Sequence, residues 1–325
     1  GWVAGRLHVG EKTLDQYKWA AGHIRNGLGA IAADGLEREE VATWLQQLAN
    51  GGALGRRSIA IVRMTLRAAF EEAVQSGDLR RNPVALVPVP RAVVRKPKPK
   101  DVDAWDDEQL ARFLDIIRKH RWGGPMELEV LYGLRRSELL DLHWPDVDLK
   151  RGVARVRGGL VEVQGRAVRT DGKNERSRRD IPLDANMKRV LRLHRDVQAI
   201  ERAAAGPEWE NNDLVVATQR GRPVNPRNYN QTLDRLVTKA KVPRLTSHGL
   251  RHTAATHMVA SATDLGEVRA AAEILGHSPE MLMKTYSHAL PASLRSITKK
   301  IGQRAKRPAP PKRKTASAVK RRSVA

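Results

Sequence analysis

Four residues in the last third of the chain have the types and spacing needed for chemistry at a phosphate ester. His248 and Arg251 stand three residues apart, and His277 and Tyr286 stand nine residues apart. An arginine fork can hold two phosphate oxygens at once, and a phenol becomes a nucleophile when a base removes its proton. A lone His-x-x-Arg pattern arises often by chance. In isolation it is also explained by a capping histidine followed by a surface arginine.

A further arginine lies upstream inside an apolar helical pattern. Arg135 should lie near the core, because the residues around it are mostly leucines: Leu134, Leu139, Leu140 and Leu142. A buried arginine normally needs a partner, and Glu138, three residues on, can orient it. We interpret the adjacent Arg136 as a surface residue or a DNA contact.

A lysine between these two regions completes the set. Lys173 follows the turn pattern Asp171-Gly172 and is the only lysine between residues 151 and 187. A lysine at a hairpin tip can donate a proton, which an arginine cannot readily do. Its position alone is equally consistent with an exposed turn lysine.

These segments resemble, in order and spacing, the motifs of the tyrosine recombinases of the phage integrase type. The first arginine box is similar to residues 133–138, GLRRSE, and the lysine hairpin to residues 173–183, KNERSRRDIPL. The second box is similar to residues 248–253, HGLRHT, and the last to residues 275–278, LGHS, with 285–288, TYSH. The likeness extends over about residues 10–300, and the joint occurrence of these motifs is highly specific.

The resemblance implies a nucleophile and a phosphate clamp. Tyr286 would attack the scissile phosphate and form a 3′-phosphotyrosine, releasing a 5′-hydroxyl. Arg135 and Arg251 would stabilise the charge that builds up on the non-bridging oxygens. Glu138 would support Arg135.

The resemblance also implies the proton transfers. His248 would assist removal of the phenol proton or its return, and Lys173 would protonate the leaving 5′-oxygen. His277 would hydrogen-bond the phosphate. The covalent intermediate conserves the phosphodiester energy, so we expect no cofactor. His248 and His252 stand four residues apart, as in zinc sites, but no Glu follows His248 and the chain has no Cys, so we expect no metal.

The charge of the chain independently indicates a polyanionic partner. The net charge is +23, and residues 91–100 and 301–325 contain basic residues without a single acid. The rest of the chain is still positively charged, so the tail alone does not account for the excess. We expect duplex DNA as partner. Within 91–103, a proline-containing strap, the expected DNA contacts are Arg95, Lys96, Lys98 and Lys100.

The hydrophobic periodicity predicts a mainly α fold with a small antiparallel β-sheet (α+β). Residues 1–90 are predicted as a helical unit whose first helix starts at a capping-box pattern from Thr13 to Gln16, and the resemblance implies that it is the core-binding domain. The composition predicts a linker at 91–103 and a basic, disordered tail at 304–325, and the resemblance implies that 104–303 is the catalytic domain. Strands are predicted at 153–156, 160–168 and 178–183, with turns at Gly158-Gly159 and Asp171-Gly172.

The sequence therefore predicts a site-specific DNA recombinase, the integrase of a phage or other mobile element. By resemblance it would act as a homotetramer on attachment sites, with DNA-bending and directionality factors and a further N-terminal arm-binding domain as possible additions. No apolar run approaches the ~18 residues of a membrane span. We expect a cytoplasmic, nucleoid-associated protein of bacterial or phage origin. The alternatives are a chromosome-dimer-resolving recombinase, a type IB topoisomerase and an inactive DNA-binding protein.

Overall fold

The described part of the chain is mostly helical, as predicted. The computed structural model describes residues 2–6, 8–91, 104–171 and 178–286. After a short 3₁₀ turn at Trp2–Gly5, the first helices are α1 (Glu11–Leu28), α2 (Arg38–Asn50) and α3 (Arg56–Gln75). None of the helices in these ranges is long and apolar enough to cross a bilayer.

The first three helices bury one continuous hydrophobic cluster. The apolar stripes predicted for α2 and α3 form its centre, through Val41, Trp44, Leu45, Ile59, Val62, Leu66 and Phe70. The predicted capping box at Thr13 is wrong. The α1 helix begins two residues earlier, at Glu11, with Gly10 as N-cap and no side-chain hydrogen bond at the cap.

The second group of elements begins at Trp105 and surrounds a larger core. Its first helices are α4 (Asp107–Ile117), α5 (Gly123–Tyr132) and α6 (Arg136–Leu140). Five strands follow: β1 (Val147–Asp148), β2 (Val153–Val156), β3 (Gly158–Val163), β4 (Arg166–Asp171) and β5 (Arg179–Pro182). The remaining helices are α7 (Ala185–Ala205), α8 (Pro226–Ala240), α9 (Ser247–Ser261), α10 (Leu265–Leu275) and α11 (Pro279–Tyr286).

Trp105, at the start of this second group, is hydrogen-bonded to α9 and to the segment that precedes it. Its side chain is 1% exposed, its indole N–H donates to the Pro243 carbonyl over 2.9 Å, and its backbone N–H donates to the Thr253 hydroxyl over 3.1 Å. The α4 helix then starts at a capping box formed by Asp106 and Gln109. The chain thus enters this core held against the helix that carries two of the predicted site residues.

The strands form two small antiparallel sheets. One has the order β1-β2-β5, and the other is the hairpin β3-β4. The turn predicted at Gly158-Gly159 is wrong, because both glycines lie inside β3, paired with Asp171 and Thr170. They are needed for close packing: a Cβ at Gly158 would lie 2.7 Å from a carboxylate oxygen of Asp141, and one at Gly159 would lie 3.2 Å from the Ser137 Cβ.

Gly133 separates α5 from α6. Its φ is +68°, the left-handed conformation that ends many helices. A Cβ here would lie 2.4 Å from a Leu275 methyl and 3.2 Å from the Ala254 Cβ. The α9 and α10 helices therefore approach this turn as closely as a glycine allows.

We expect Gly133→Ala to lower the free energy of unfolding by about 2–5 kcal/mol, because the left-handed backbone costs ~1–2 kcal/mol and overpacking ~1–3 kcal/mol. Gly165→Ala is the matched control, since Gly165 has φ +80° but no atom within 4 Å of its Cβ position. It should lose about 1–2 kcal/mol, from backbone strain alone. Urea unfolding followed by tryptophan fluorescence measures both, and equal losses would contradict the packing argument.

Candidate active site

Arg135 lies at the junction of α5 and α6, where the helix break turns the chain. It is the N-cap residue of α6. Its backbone N–H and its Nη1 donate to the two carboxylate oxygens of Glu138, over 2.8 and 2.6 Å. The side chain of Arg135 is 40% exposed, whereas that of Glu138 is 5% exposed. The expected pairing is present, but Arg135 is less buried than its leucine-rich surroundings predicted, because it caps the helix from outside.

Arg251 is the most deeply buried of the described arginines in the cluster. It projects from α9 with 2% exposure. Its Nη1 donates to the Gly133 carbonyl over 2.6 Å, and its Nη2 donates to the Leu275 carbonyl. Burial, and then the nearby charge of Arg135, lowers the pKa of Arg251 to about 9, so it stays protonated at neutral pH. Arg251 thus joins the turn before Arg135 to the end of α10.

Arg179, on β5, was not identified from the sequence as a site residue. Its two Nη atoms donate to the two oxygens of Glu138, over 3.1 and 2.9 Å. Burial raises the pKa of Glu138, but the hydrogen bonds and charge of Arg179 and the charge of Arg135 outweigh it, so the pKa is lowered. The sequence did hold a signal, because Arg179 stands two residues from the buried Ile181, on the same face of the strand.

His248 and His252 lie one turn apart at the start of α9. Their ring centroids are 4.5 Å apart at an angle of 83°. Burial, followed by the charges of His252 and Arg251, lowers the pKa of His248. His248 is therefore neutral at pH 7 and can accept a proton, as a general base must.

His277 follows α10 and carries a polar atom with no partner. Its Nδ1 is shielded from solvent and makes no hydrogen bond. Burial, and then the charges of Arg251 and Arg135, lowers the pKa of His277 to about 4. A buried polar atom without a partner costs free energy, and an incoming phosphate oxygen could satisfy it.

Tyr286 ends α11 and turns into this cluster. It is 4% exposed, and its hydroxyl contacts Nδ1 of His252 at hydrogen-bond distance. Burial raises the pKa of the phenol, while the charge of Arg251 opposes that shift. His252, considered from the sequence only for its zinc-like spacing from His248, lies against the phenol. Spacing along the sequence could not show this, because the contact joins two helices 34 residues apart.

A second buried carboxylate, that of Glu129, is hydrogen-bonded to the first residue of α9. Glu129, on α5, accepts hydrogen bonds from the hydroxyls of Tyr229, over 2.5 Å, and Ser247, the neighbour of His248. Burial raises the pKa of Glu129 to about 7, against the effects of Ser247, Tyr229 and the charge of Arg136. Arg136 was expected on a DNA-facing surface, but it is half-buried and its Nε is shielded from solvent without a partner.

The structure therefore brings together most of the residues predicted from the sequence: Arg135, Glu138, His248, Arg251, His277 and Tyr286. Lys173 lies outside the described residues, and so do Arg95, Lys96, Lys98 and Lys100. Within the described ranges there is no group of three or more His, Asp or Glu side chains arranged to hold a metal ion. The described cluster is a positively charged site, with histidines beside one buried phenol.

Comparisons with known proteins identify the family of the chain. A profile of the phage integrase family matches residues 105–292. The chain is similar to a tyrosine recombinase XerC-like protein of Caldanaerobacter subterraneus, at 26% identity over 72% of this chain and 63% of that protein. It is 29% identical to an integrase of Streptomyces ambofaciens, over 79% and 65% of the two chains. It is also 29% identical to the tyrosine recombinase XerC of Chromohalobacter salexigens, over 94% of each. The chain thus spans less than two thirds of the first two relatives.

Solved structures share the fold. The integrase of the Tn1549 transposon, in complex with a circular intermediate DNA, superposes with a TM-score of 0.74 at 21% identity, over 92% of this chain and 96% of that one. A lambda integrase dimer bound to a COC′ core site gives a TM-score of 0.59 at 20% identity, over 87% and 90%.

The low pKa of His277 gives an expected dependence of stability on pH. An unfolded chain protonates histidine near pH 6.5, whereas folded His277 resists protonation down to about pH 4. The stability it contributes is therefore complete above pH 6.5 and is lost as the pH falls towards 4. As the pH falls from 6.5 towards 4, we expect wild type to lose free energy of unfolding relative to His277→Gln. Above pH 6.5 the difference between the two proteins should stay constant. Urea unfolding at a series of pH values measures it, and a difference that does not change with pH would contradict the buried, neutral imidazole.

Proposed function

Since the chain belongs to the phage integrase family, we propose that it is a site-specific DNA recombinase that cuts and rejoins duplex DNA through a 3′-phosphotyrosine. Its DNA targets are attachment sites, and it integrates or excises a phage or another mobile element. The observation that carries this proposal is the position of Tyr286. Its hydroxyl contacts His252 next to the charge of Arg251, inside the cluster that also holds Arg135 and His277.

The cleavage step is a transesterification. The Tyr286 oxygen bonds to phosphorus, the bond from phosphorus to the 5′-oxygen breaks, and the phenol loses its proton. An ordinary phenol is ionised to about one part in a thousand at pH 7, a handicap of about 4 kcal/mol, and burial makes it larger here. A base is therefore needed. The lowered pKa of His248 keeps its ring neutral at pH 7, and His248 lies beside His252, which touches the hydroxyl, so the proton can pass from the phenol to this pair.

The arginines act on the phosphate. Charge builds up on the non-bridging oxygens in the transition state, and donors fixed in advance stabilise it most. Arg135 is held by Glu138 and half-exposed, so part of its fork can face the DNA. Arg251 is already fixed by two carbonyls, and His277 can add a hydrogen bond through Nδ1. Lys173 would protonate the leaving 5′-oxygen.

Membership of the family also suggests how the domains and protomers are arranged on DNA. We propose a core-binding unit at 1–90, a linker at 91–103 and a catalytic domain at 104–303 that together surround duplex DNA. The linker cations Arg95, Lys96, Lys98 and Lys100 would follow the phosphate backbone, and the basic tail 304–325 would add unspecific attraction. Separate hydrophobic clusters on either side of the linker support this division. Four protomers would join two sites through a Holliday junction, and lambda integrase is known as a tetramer bound to such a junction. We place the protein on the bacterial nucleoid.

A chromosome-dimer-resolving recombinase is the second candidate. The XerC of Chromohalobacter salexigens aligns over 94% of its own length, which favours it. The integrase relatives and the Tn1549 structure favour the mobile element.

Tyr286→Phe should bind DNA but form no covalent complex. The substrate is a pool of nicked duplexes tiled across the genome that encodes the chain, including the DNA beside its gene. On these, cleavage releases a short strand and traps the protein on DNA. The control is Tyr17→Phe, a change in α1, which should trap like wild type. Covalent complex with Tyr286→Phe would contradict the nucleophile assignment. Wild-type trapping should persist in a metal chelator.

A recombinase should act only where its site is present. We expect plasmids with two copies of the trapped site to give deletion or inversion products, and supercoiled plasmids without it to stay supercoiled. Gel electrophoresis separates both outcomes. Relaxation of the site-free plasmid, without recombinants from the other, would identify a type IB topoisomerase instead.

A further inference from the structure

To partners in the described part of the chain, the buried guanidinium of Arg179 donates three hydrogen bonds. Its Nη atoms bond to Glu138 as described, and its Nε donates to the Ile274 carbonyl over 2.6 Å. Its side chain is 7% exposed and that of Glu138 is 5% exposed. A buried fork that bonds in a plane fixes the orientation of its partners, which a single point charge cannot do.

On one side, Arg179 fixes the carboxylate that fixes Arg135. Each oxygen of Glu138 accepts one bond from Arg179 and one from Arg135. The carboxylate therefore cannot rotate about its last bond without breaking contacts to both. Arg135 keeps its position because Glu138 is held from behind.

On the other side, Arg179 holds the end of the helix that leads to His277. The carbonyls of Ile274 and Leu275 are consecutive, and they accept from Arg179 and Arg251 respectively. These carbonyls end α10, where the helix has its negative pole and favours cations. Gly276 then turns the chain, in the left-handed conformation, into His277.

We propose that Arg179 is a positioning residue for the phosphate clamp. It sets Arg135 through Glu138, and it sets the turn that carries His277 through Ile274. This inference rests on the proposed function, because it assumes that the cluster acts on a phosphate. Arg179 itself touches neither the DNA nor the reacting atoms in this role.

Arg179→Lys distinguishes geometry from charge, because lysine keeps the positive charge but loses the fork. On the duplex trapped by wild type, we expect the rate of covalent-complex formation to fall roughly ten- to a hundredfold, as for a misplaced catalytic group. DNA affinity should stay within about threefold of wild type, since the change in net charge is zero. A cleavage rate equal to that of wild type would overturn the proposal.

The chemistry of the substrate supplies the second readout. A methylphosphonate at the scissile position replaces one charged oxygen by a methyl group, so the clamp has no net negative charge to neutralise. Relative to wild type on the same duplex, the defect of Arg179→Lys should shrink to about threefold, because there is less transition-state charge to stabilise. An equal defect on phosphate and methylphosphonate would mean a general structural role and would overturn the proposal.

Arg121→Lys is the matched control. Arg121 also bonds a glutamate with two nitrogens, Glu201, and donates its third bond to a carbonyl, that of Ala217 over 2.8 Å. Its exposure is 21%, and none of these partners belongs to the cluster. This variant should cleave both substrates within about threefold of wild type, given that it has no link to the clamp. A phosphate-selective defect here would count against a special role of Arg179.

A double variant separates loss of positioning from loss of folding. Arg179→Met with Glu138→Gln removes both buried charges, so no unpaired carboxylate remains. Its unfolding transition should stay cooperative, and its cleavage of the phosphate duplex should be as poor as that of Arg179→Lys, or poorer. Wild-type cleavage by this folded variant would also overturn the proposal. If wild type itself forms no covalent complex with DNA, the proposed function fails. This result differs from the outcomes that test Arg179, because those all compare a variant with an active wild type.

Discussion

The described site depends on one buried cation. Arg251 extends from α9 into a space bounded by the Gly133 turn and the end of α10, and it bonds a carbonyl of each. Removing a guanidinium from water is costly unless its donors are satisfied, so these two segments must stay where its nitrogens reach them. The left-handed Gly133 and the close packing of Leu275 upon it follow from this requirement. The same bonds leave the positive charge uncancelled, which makes the cluster attractive to a phosphate.

The remaining side chains are arranged around that cation by two buried carboxylates. Glu138 holds Arg135 and Arg179, and Glu129 holds the first turn of α9 through Ser247. Glu129 lies on α5 and Glu138 on α6, so two consecutive helices organise the cluster from two sides. The low pKa of His277 and the raised pKa of Tyr286 are results of this packing. Both groups are neutral at pH 7 while the arginines are charged, as proton transfer next to a phosphate requires.

Much of this was predictable from the sequence. Residue types in a fixed order, and the family resemblance that they carry, selected Arg135, Glu138, His248, Arg251, His277 and Tyr286, which the structure brings together, and apolar periodicity predicted a mainly helical fold. The missed features are contacts between distant segments. His252 of α9 contacts Tyr286 of α11, and Arg179 of β5 bonds to Glu138 of α6. Local sequence patterns do not encode contacts between such distant segments. Gly158 and Gly159 were misassigned for the same reason: glycine favours turns, but here it allows a strand to pack against α6.

That close packing has a mechanical consequence. The base of the β3-β4 hairpin lies on α6 with no space for side chains, and Arg169 ties it there through Asp141, over 3.2 Å. At the other end of the hairpin, Gln164 donates to Asp15 of α1 over 3.1 Å. Six residues of β-strand span about 20 Å, so the hairpin is a stiff lever between the N-terminal helices and the helix that Arg135 caps. Any tilt of α1 relative to the second core would therefore be passed along the hairpin to α6, through the Gln164–Asp15 and Arg169–Asp141 contacts at its two ends.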